Sequence, residues 1–276
     1  MNAIRTLVDG RAEERIAATD RGLLYGDGLF ETIRFGAGRA PLWDRHMARL
    51  AAGCGRLGLP LPDEERLAHE CREVMAGLGA AVVRITLTRG HGERGYAPPR
   101  EVVPTRIVAA HPSPDLPRDW YARGIRVRFC AVRLARQPLL AGMKHLNRLE
   151  QVLARAEWND AAIPEGLMLD TADHVVCATA ANLFAVIDGA LCTPPVDLAG
   201  VAGVARAETL AVRTDTRLRE LTRADLAAAS ELFLTSSVRG IVPITATDEA
   251  DYGASGPVAR ALQAHWRDLG LSPEVM

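Results

Sequence analysis

Apolar positions set the frame of this chain. From Trp43 to Leu57, the residues Met47, Leu50, Ala51, Cys54 and Leu57 recur at helical spacing and predict a helix. A second helix is predicted from about Glu64 to Leu78, with Leu67, Cys71, Val74, Met75 and Leu78 on its apolar face and Asp63 as its cap. Ile4–Arg11 reads as a short strand with an Asp9-Gly10 turn signal, and Gly26 and Gly28 interrupt an apolar segment as a bulge or tight turn before a strand. Strands follow at Ala81–Arg89 and Thr105–Ala110, the first leading into the glycine-rich loop Gly90–Tyr96.

The second half is richer in strands. Ile125–Val132 alternates, and Leu146, Leu149, Val152, Leu153 and Ala156 form a helix face that runs to about Trp158. Gly166–Asp170 and His174–Cys177 predict a hairpin around Thr171-Ala172-Asp173, and Asn182–Ile187 is a strand ended by Asp188-Gly189. Ala205–Val212, Asp225–Ser230 and Pro257–Leu269 are predicted helices, and Leu232–Ser237 is a strand with a polar end. Three prolines without periodicity between His111 and Pro117 place a linker there. The expected organisation is a small α/β domain over 1–112, a linker over 113–122 and a larger, strand-rich domain over 123–276.

Composition adds exclusions. The chain has 276 residues, 48% of them apolar and 24% charged, with a formal net charge of −1. A near-zero net charge gives no electrostatic argument for nucleic acid or for an anionic membrane. The five cysteines, Cys54, Cys71, Cys130, Cys177 and Cys192, are odd in number and form no CxxC pair, which argues against a disulfide framework and a zinc site; no metal is expected. No charged-then-apolar leader and no bilayer-length apolar run is seen, so the expectation is a reducing, cytoplasmic setting.

One residue stands apart. Of 33 lysines and arginines, only Lys144 is a lysine. It follows the small, apolar Ala141-Gly142-Met143. Arginine stays protonated in proteins, whereas a desolvated lysine can act as a neutral amine, a base or a Schiff-base partner. A Schiff base to pyridoxal phosphate also requires a phosphate cup. Gly203-Val204-Ala205-Arg206 opens a helix whose N–H groups can face an anion, Ser236 and Ser237 end a strand, and Arg49 lies on the first helix.

The segments Asp20–Gly22, Tyr25–Thr32, His46–Leu50, Lys144, Ala181–Phe184, Thr193-Pro194 and Gly203–Arg206 together resemble the class IV pyridoxal-phosphate aminotransferases of fold type IV. That family includes branched-chain aminotransferases, D-amino acid aminotransferases and 4-amino-4-deoxychorismate lyases. The stretches Arg89–Tyr96, Arg133–Pro138 and Leu140–Leu153 look most like the lyase branch. The branched-chain branch carries a tyrosine five places past its lysine, where this chain has Leu149.

The resemblance implies an α+β, fold type IV enzyme with a small N-terminal domain and a larger pseudo-barrel domain, homodimeric and specific for a small molecule. Its implied activity is the conversion of 4-amino-4-deoxychorismate to 4-aminobenzoate and pyruvate, a step of folate biosynthesis. Lys144 would hold the cofactor as a Schiff base and move protons. Arg49, the N–H groups of Val204 and Ala205, and the Ser237 hydroxyl would hold the phosphate. Tyr25, Arg89, Arg94, Tyr96 and Arg136 are the candidates for the substrate, the arginines for its two carboxylates.

The chain departs from the family pattern at one place. Five residues before Asn182, where the family has a glutamate that keeps the pyridine nitrogen protonated, stands Cys177. A neutral thiol gives no such field. Two other readings follow: an aminotransferase for D-amino acids, branched-chain amino acids or amines, and a non-catalytic descendant that binds ligand or cofactor without turnover.

Overall fold

The computed structural model describes residues 5–271; Ile4, at the start of the predicted opening strand, lies outside them. Contacts divide the chain into two compact units. One contains the residues up to Pro114 together with Met143–Asn147, and the other contains Asp115–Gly142 and the chain from Arg148 onward.

The first unit comprises β1 (Thr6–Val8), β2 (Arg11–Ala12), α1 (Arg21–Tyr25), β3 (Gly28–Gly36), α2 (Trp43–Leu57), α3 (Glu64–Val74), β4 (Ala80–Thr88) and β5 (Arg106–Pro112). Its strands form one antiparallel sheet in the order β2-β1-β5-β4-β3. Leu7, Ile33, Val83, Ile85 and Val108 are buried in its core. The two helices predicted from apolar spacing are present, and Asp63 caps α3 by accepting from the Arg66 N–H. α1 is an addition to the sequence reading: Asp20 accepts from the Gly22 N–H at 2.7 Å to start it, and Gly26, at φ 66°, ends it within five residues.

The second unit comprises α4 (Asp119–Ala122), β6 (Ile125–Leu134), α5 (Leu149–Arg155), β7 (Glu165–Asp170), β8 (Val175–Ala178), β9 (Asn182–Ile187), β10 (Ala190–Thr193), α6 (Val204–Val212), β11 (Arg217–Leu218), α7 (Arg223–Ala227), β12 (Glu231–Ser236), β13 (Gly240–Ala246) and α8 (Pro257–Asp268). The sheet order is β11-β10-β9-β12-β13-β6-β7-β8, and a further pairing of β8 with β9 closes six of these strands into a barrel. Phe184 and Phe233 face each other across β9 and β12 and stack at 5.2 Å between centroids. The region expected as a linker carries α4, whose Tyr121 is buried and donates its hydroxyl to the Arg239 carbonyl at 2.9 Å.

α5 departs from its predicted face. Leu149, Val152 and Leu153 are 74%, 59% and 59% exposed, and the helix buries Ala154 instead. β13 was not predicted at all. Pro243 interrupts its apolar run, yet it sits inside a strand that pairs antiparallel with β12 and, through an irregular register, parallel with β6.

Candidate active site

Lys144 belongs to the first unit. The Phe30 N–H donates to the Lys144 carbonyl at 2.9 Å, and the Leu146 N–H donates to the Gly28 carbonyl at 3.0 Å, so residues 144–146 lie antiparallel along the start of β3. The Lys144 Nζ stands 4.1 Å from the Phe30 ring centroid. The glycines around Asp27 make this approach possible. A Cβ on Gly28 would collide with the Leu87 carbonyl, and one on Gly26 would come within 2.5 Å of Asn147 Oδ1.

Behind the same strand lies a buried ionic group. Arg49 Nε donates to Glu31 Oε1 at 2.8 Å and Nη2 to Oε2 at 2.5 Å, while His46 Nδ1 is 2.6 Å from Oε2. Burial alone would raise the Glu31 pKa; the hydrogen bonds from His46 and Arg49 outweigh it and lower the value overall. Burial lowers the His46 pKa, partly opposed by Glu31 and reinforced by the charges of Arg49 and Lys144. The imidazole is thus a neutral N–H donor to a carboxylate. The sequence reading named Arg49 but missed Glu31 and His46. An acid inside the apolar run Leu29-Phe30-Glu31-Thr32-Ile33 was the available signal, because a buried carboxylate requires a cation.

The substrate candidates of this unit separate into two kinds. Arg89 is buried; its Nε pairs with Asp27 at 2.8 Å, and its other nitrogens donate to the Leu57 and Gly58 carbonyls. Its donors serve the chain's own acceptors. Arg21, not singled out beforehand, shares Asp27 and donates to the carbonyls of Gly95, Tyr96 and Ala97, fixing the glycine-rich loop. Tyr25 and Tyr96 meet edge to face at 5.4 Å, with Arg21 4.9 Å from the Tyr25 ring, and Tyr96 and Arg94 are exposed.

In the second unit, Arg136 lies beside two protein carboxylates, Asp170 at 3.7 Å and Glu220 at 3.5 Å. It too has internal counter-charges where substrate carboxylates were expected. Cys177 is buried with Cys130, Met168 and Val176, and burial pushes its thiol up to about 12, so it is uncharged. Glu165 acts on the Cys177 thiol by charge, and it and the two aspartates near Cys177 in sequence have partners of their own. Glu165 accepts from the Gly166 and Thr179 N–H groups and the Thr179 hydroxyl, and pairs with Arg239 at 2.8 Å. Asp170 holds the β7–β8 turn through the Ala172 and His174 N–H groups, and Asp173 pairs with Arg133 at 3.0 Å.

Val204, Ala205 and Ser237, three of the expected cup residues, belong to this unit. Gly203 is the N-cap of α6, so the N–H groups of Val204 and Ala205 have no intrahelical acceptor. A Cβ on Gly203 would collide with Asn182 Oδ1. Ser237 stands in the turn that follows β12, where the Arg239 N–H donates to Ser236 Oγ at 3.0 Å. Arg206 Nε and Thr235 Oγ1 are buried without a hydrogen-bond partner. A glycine cradle, open helix amides and orphaned donors fit a phosphate ester. The surroundings of Cys177 do not fit a protonated pyridine nitrogen.

A family model for class IV amino-transferases matches residues 28–247. The chain belongs to this family, whose members are pyridoxal-phosphate enzymes. Among solved structures it is similar to a 4-amino-4-deoxychorismate lyase from Pseudomonas aeruginosa, at 47% identity and TM-score 0.90 over 95% of this chain and 98% of the other. An aminodeoxychorismate lyase from Vibrio harveyi is 32% identical over 92% of this chain and 95% of its own length. A D-alanine aminotransferase from Staphylococcus aureus is 28% identical over 91% of each chain. The reading as a non-catalytic descendant finds no support among these relatives.

Proposed function

We propose that this protein is a lyase that converts 4-amino-4-deoxychorismate to 4-aminobenzoate and pyruvate with pyridoxal phosphate as cofactor. The observation that carries the reading is the likeness to the Pseudomonas lyase across nearly the whole chain, with Lys144, the only lysine, in the segment that lies along β3. When bound, the cofactor would supply an electron-withdrawing π-system joined to the substrate amine. The chain supplies the rest. Lys144 Nζ, once free of the cofactor, takes the ring C–H proton. The C–H electron pair completes the aromatic ring, the C–O bond to the enolpyruvyl group breaks with its pair on oxygen, and the enolate is protonated to pyruvate.

Arg49, the Val204 and Ala205 amides and the Ser237 hydroxyl would hold the phosphate. Tyr25, Arg89, Arg94, Tyr96 and Arg136 are the substrate candidates, of which Arg89 and Arg136 also have protein carboxylates beside them. Cys177 supports a lyase over a transaminase. Aromatisation drives the elimination downhill, whereas a transaminase must store an electron pair on the cofactor ring and depends more on a protonated nitrogen. A homodimer is supported by the exposed apolar face of Leu149, Val152 and Leu153 on α5. Five buried, unpaired cysteines are in keeping with a cytoplasmic setting.

Two measurements test the proposal. Borohydride reduction of the holoprotein followed by peptide mass mapping should place the cofactor on Lys144. Incubation with the substrate should release equimolar 4-aminobenzoate and pyruvate without an added keto acid. Turnover that requires 2-oxoglutarate or pyruvate as acceptor, with no 4-aminobenzoate formed, would assign the protein to the aminotransferases instead.

A further inference from the structure

Arg21 is 4% exposed, and its guanidinium grips one stretch of backbone. Nη1 donates to the Gly95 carbonyl at 3.0 Å and to the Ala97 carbonyl at 3.3 Å, and Nη2 donates to the Tyr96 carbonyl at 3.0 Å. Nε donates to Asp27 Oδ2 at 2.9 Å, and the same oxygen accepts from Arg89 Nε at 2.8 Å. Arg89 leads into the loop whose far end Arg21 holds, so one carboxylate anchors both ends. The Arg21 N–H also donates to the Gly90 carbonyl at 2.8 Å. Gly92 passes over the same side chain: a Cβ there would stand 2.9 Å from Arg21 Cδ.

The loop held in this way carries a ring that the protein does not bury. Tyr96 is 86% exposed. Its ring meets Tyr25 edge to face at 5.4 Å. Tyr25 lies one helical turn after Arg21 on α1, with the guanidinium 4.9 Å from its ring centroid. Arg21 thus reaches Tyr96 twice, through its carbonyl and through Tyr25. Loop tips that bury little apolar surface are ordinarily the least ordered part of a fold. Burial of the Tyr96 ring does not account for a hold of this extent. Pre-organisation does: a rigid, exposed ring with two side-chain torsions loses little entropy when a ligand packs on it.

We infer that Arg21 is a positioning residue for substrate binding: it holds the backbone of residues 95–97 so that the Tyr96 ring stands against Tyr25 as a ready-made contact for a flat, unsaturated ring. The identity of that ring rests on the lyase reading; the clamp on the loop does not. A lysine in place of Arg21 keeps the charge beside Asp27, but its single nitrogen cannot serve three carbonyls and a carboxylate together. An aromatic contact made equally to substrate and transition state acts on KM and leaves kcat.

The test uses the full-length holoprotein. Arg21→Lys should raise the KM for 4-amino-4-deoxychorismate about fivefold, with kcat within about twofold of wild type. Tyr96→Leu should do the same. The double variant should be no worse than the more impaired single variant, because Arg21 acts through Tyr96. Trypsin reports the clamp without turnover: the bond after the exposed Arg94 should resist cleavage in wild type and in Tyr96→Leu, and be cut in Arg21→Lys while the rest of the chain stays intact. Additive losses, or a KM within about twofold of wild type in either single variant, overturn the inference. So does a loop cut equally fast in wild type and Arg21→Lys. Should Arg21→Lys not fold, Arg21→Gln is read in its place, and an unchanged KM in Tyr96→Leu overturns the inference without either. Failure of the lyase reading looks different: wild type then forms no 4-aminobenzoate, while trypsin still separates wild type from Arg21→Lys.

Discussion

Glu31 holds Arg49 by two hydrogen bonds, Nε to Oε1 at 2.8 Å and Nη2 to Oε2 at 2.5 Å, from a position that is 1% exposed. The carboxylate fixes the plane of the guanidinium, and His46 fixes the carboxylate. Glu31→Gln keeps the shape, removes the charge and leaves Arg49 with a neutral partner. Removing one side of a buried pair typically costs about 3 kcal/mol. We expect a loss of that order in urea unfolding, together with weaker binding of pyridoxal phosphate by the folded protein. A variant as stable as wild type would show that Arg49 needs no such support.

His46 and Glu31 give this unit a defined response to acid. Both folded pKa values are lowered, so the unfolded chain binds more protons and stability rises with pH. The His46 contribution is complete above its unfolded value of 6.5 and fades as pH falls toward the lower folded value; the Glu31 contribution fades below 4.5 in the same sense. Melting temperatures measured from pH 8 to pH 4 should fall first below about pH 6.5. Replacing His46 by Asn, which keeps a donor for Glu31 but does not titrate, should flatten the first part of the decline. An unchanged slope would place its origin elsewhere.

Cys177 should determine reaction type more than cofactor retention. Its thiol, pushed up to about 12 by burial, stays neutral across the working range, and iodoacetamide should not modify it at pH 8 unless the protein is unfolded. Cys177→Glu places a carboxylate within the field of Arg148. The expected result is a holoprotein that gains half-transamination with amino acids, followed by the shift of cofactor absorbance, while lyase activity persists. Lyase activity that falls while transamination stays absent contradicts the account given for Cys177.

The exposed side of α5 offers a direct measure of assembly. Leu149, Val152 and Leu153 lie on one face at a spacing of three to four residues. Val152→Glu combined with Leu153→Glu should convert a dimer into a monomer in sedimentation velocity at micromolar protein, with the circular dichroism of the fold kept. A sedimentation coefficient equal to that of wild type would move the interface to another surface.

Much of this architecture was legible in the chain because local signals agreed with the tertiary outcome. α2 and α3 show their apolar faces at clear helical spacing, and β9 ends at an Asp-Gly turn with Asp188 at φ 50° and Gly189 at φ 75°. What escaped was set by partners distant in sequence. Pro243 argues against a strand locally, and only pairing with β12 and β6 makes it one. The α5 periodicity was read correctly as a helix, but its apolar side is not covered within one chain. Among the candidate residues, the lysine stood out because it is the only one, and Arg49 and the start of α6 stood out as motif pieces. Whether an arginine meets solvent or an internal carboxylate is not written locally. Hence the carboxylate partners of Arg89 and Arg136 were not foreseen, and Arg21, which fixes the Tyr96 loop, was not singled out.

The five residues Met143–Asn147 belong with the first unit although the chain on either side of them belongs to the second. A gene fragment ending near residue 114 would therefore encode β3 without the lysine that lies along it. The complementary fragment would encode the lysine with no strand to receive it. Neither half by itself carries both β3 and the lysine segment that pairs along it, so a break in the chain at that boundary separates the two.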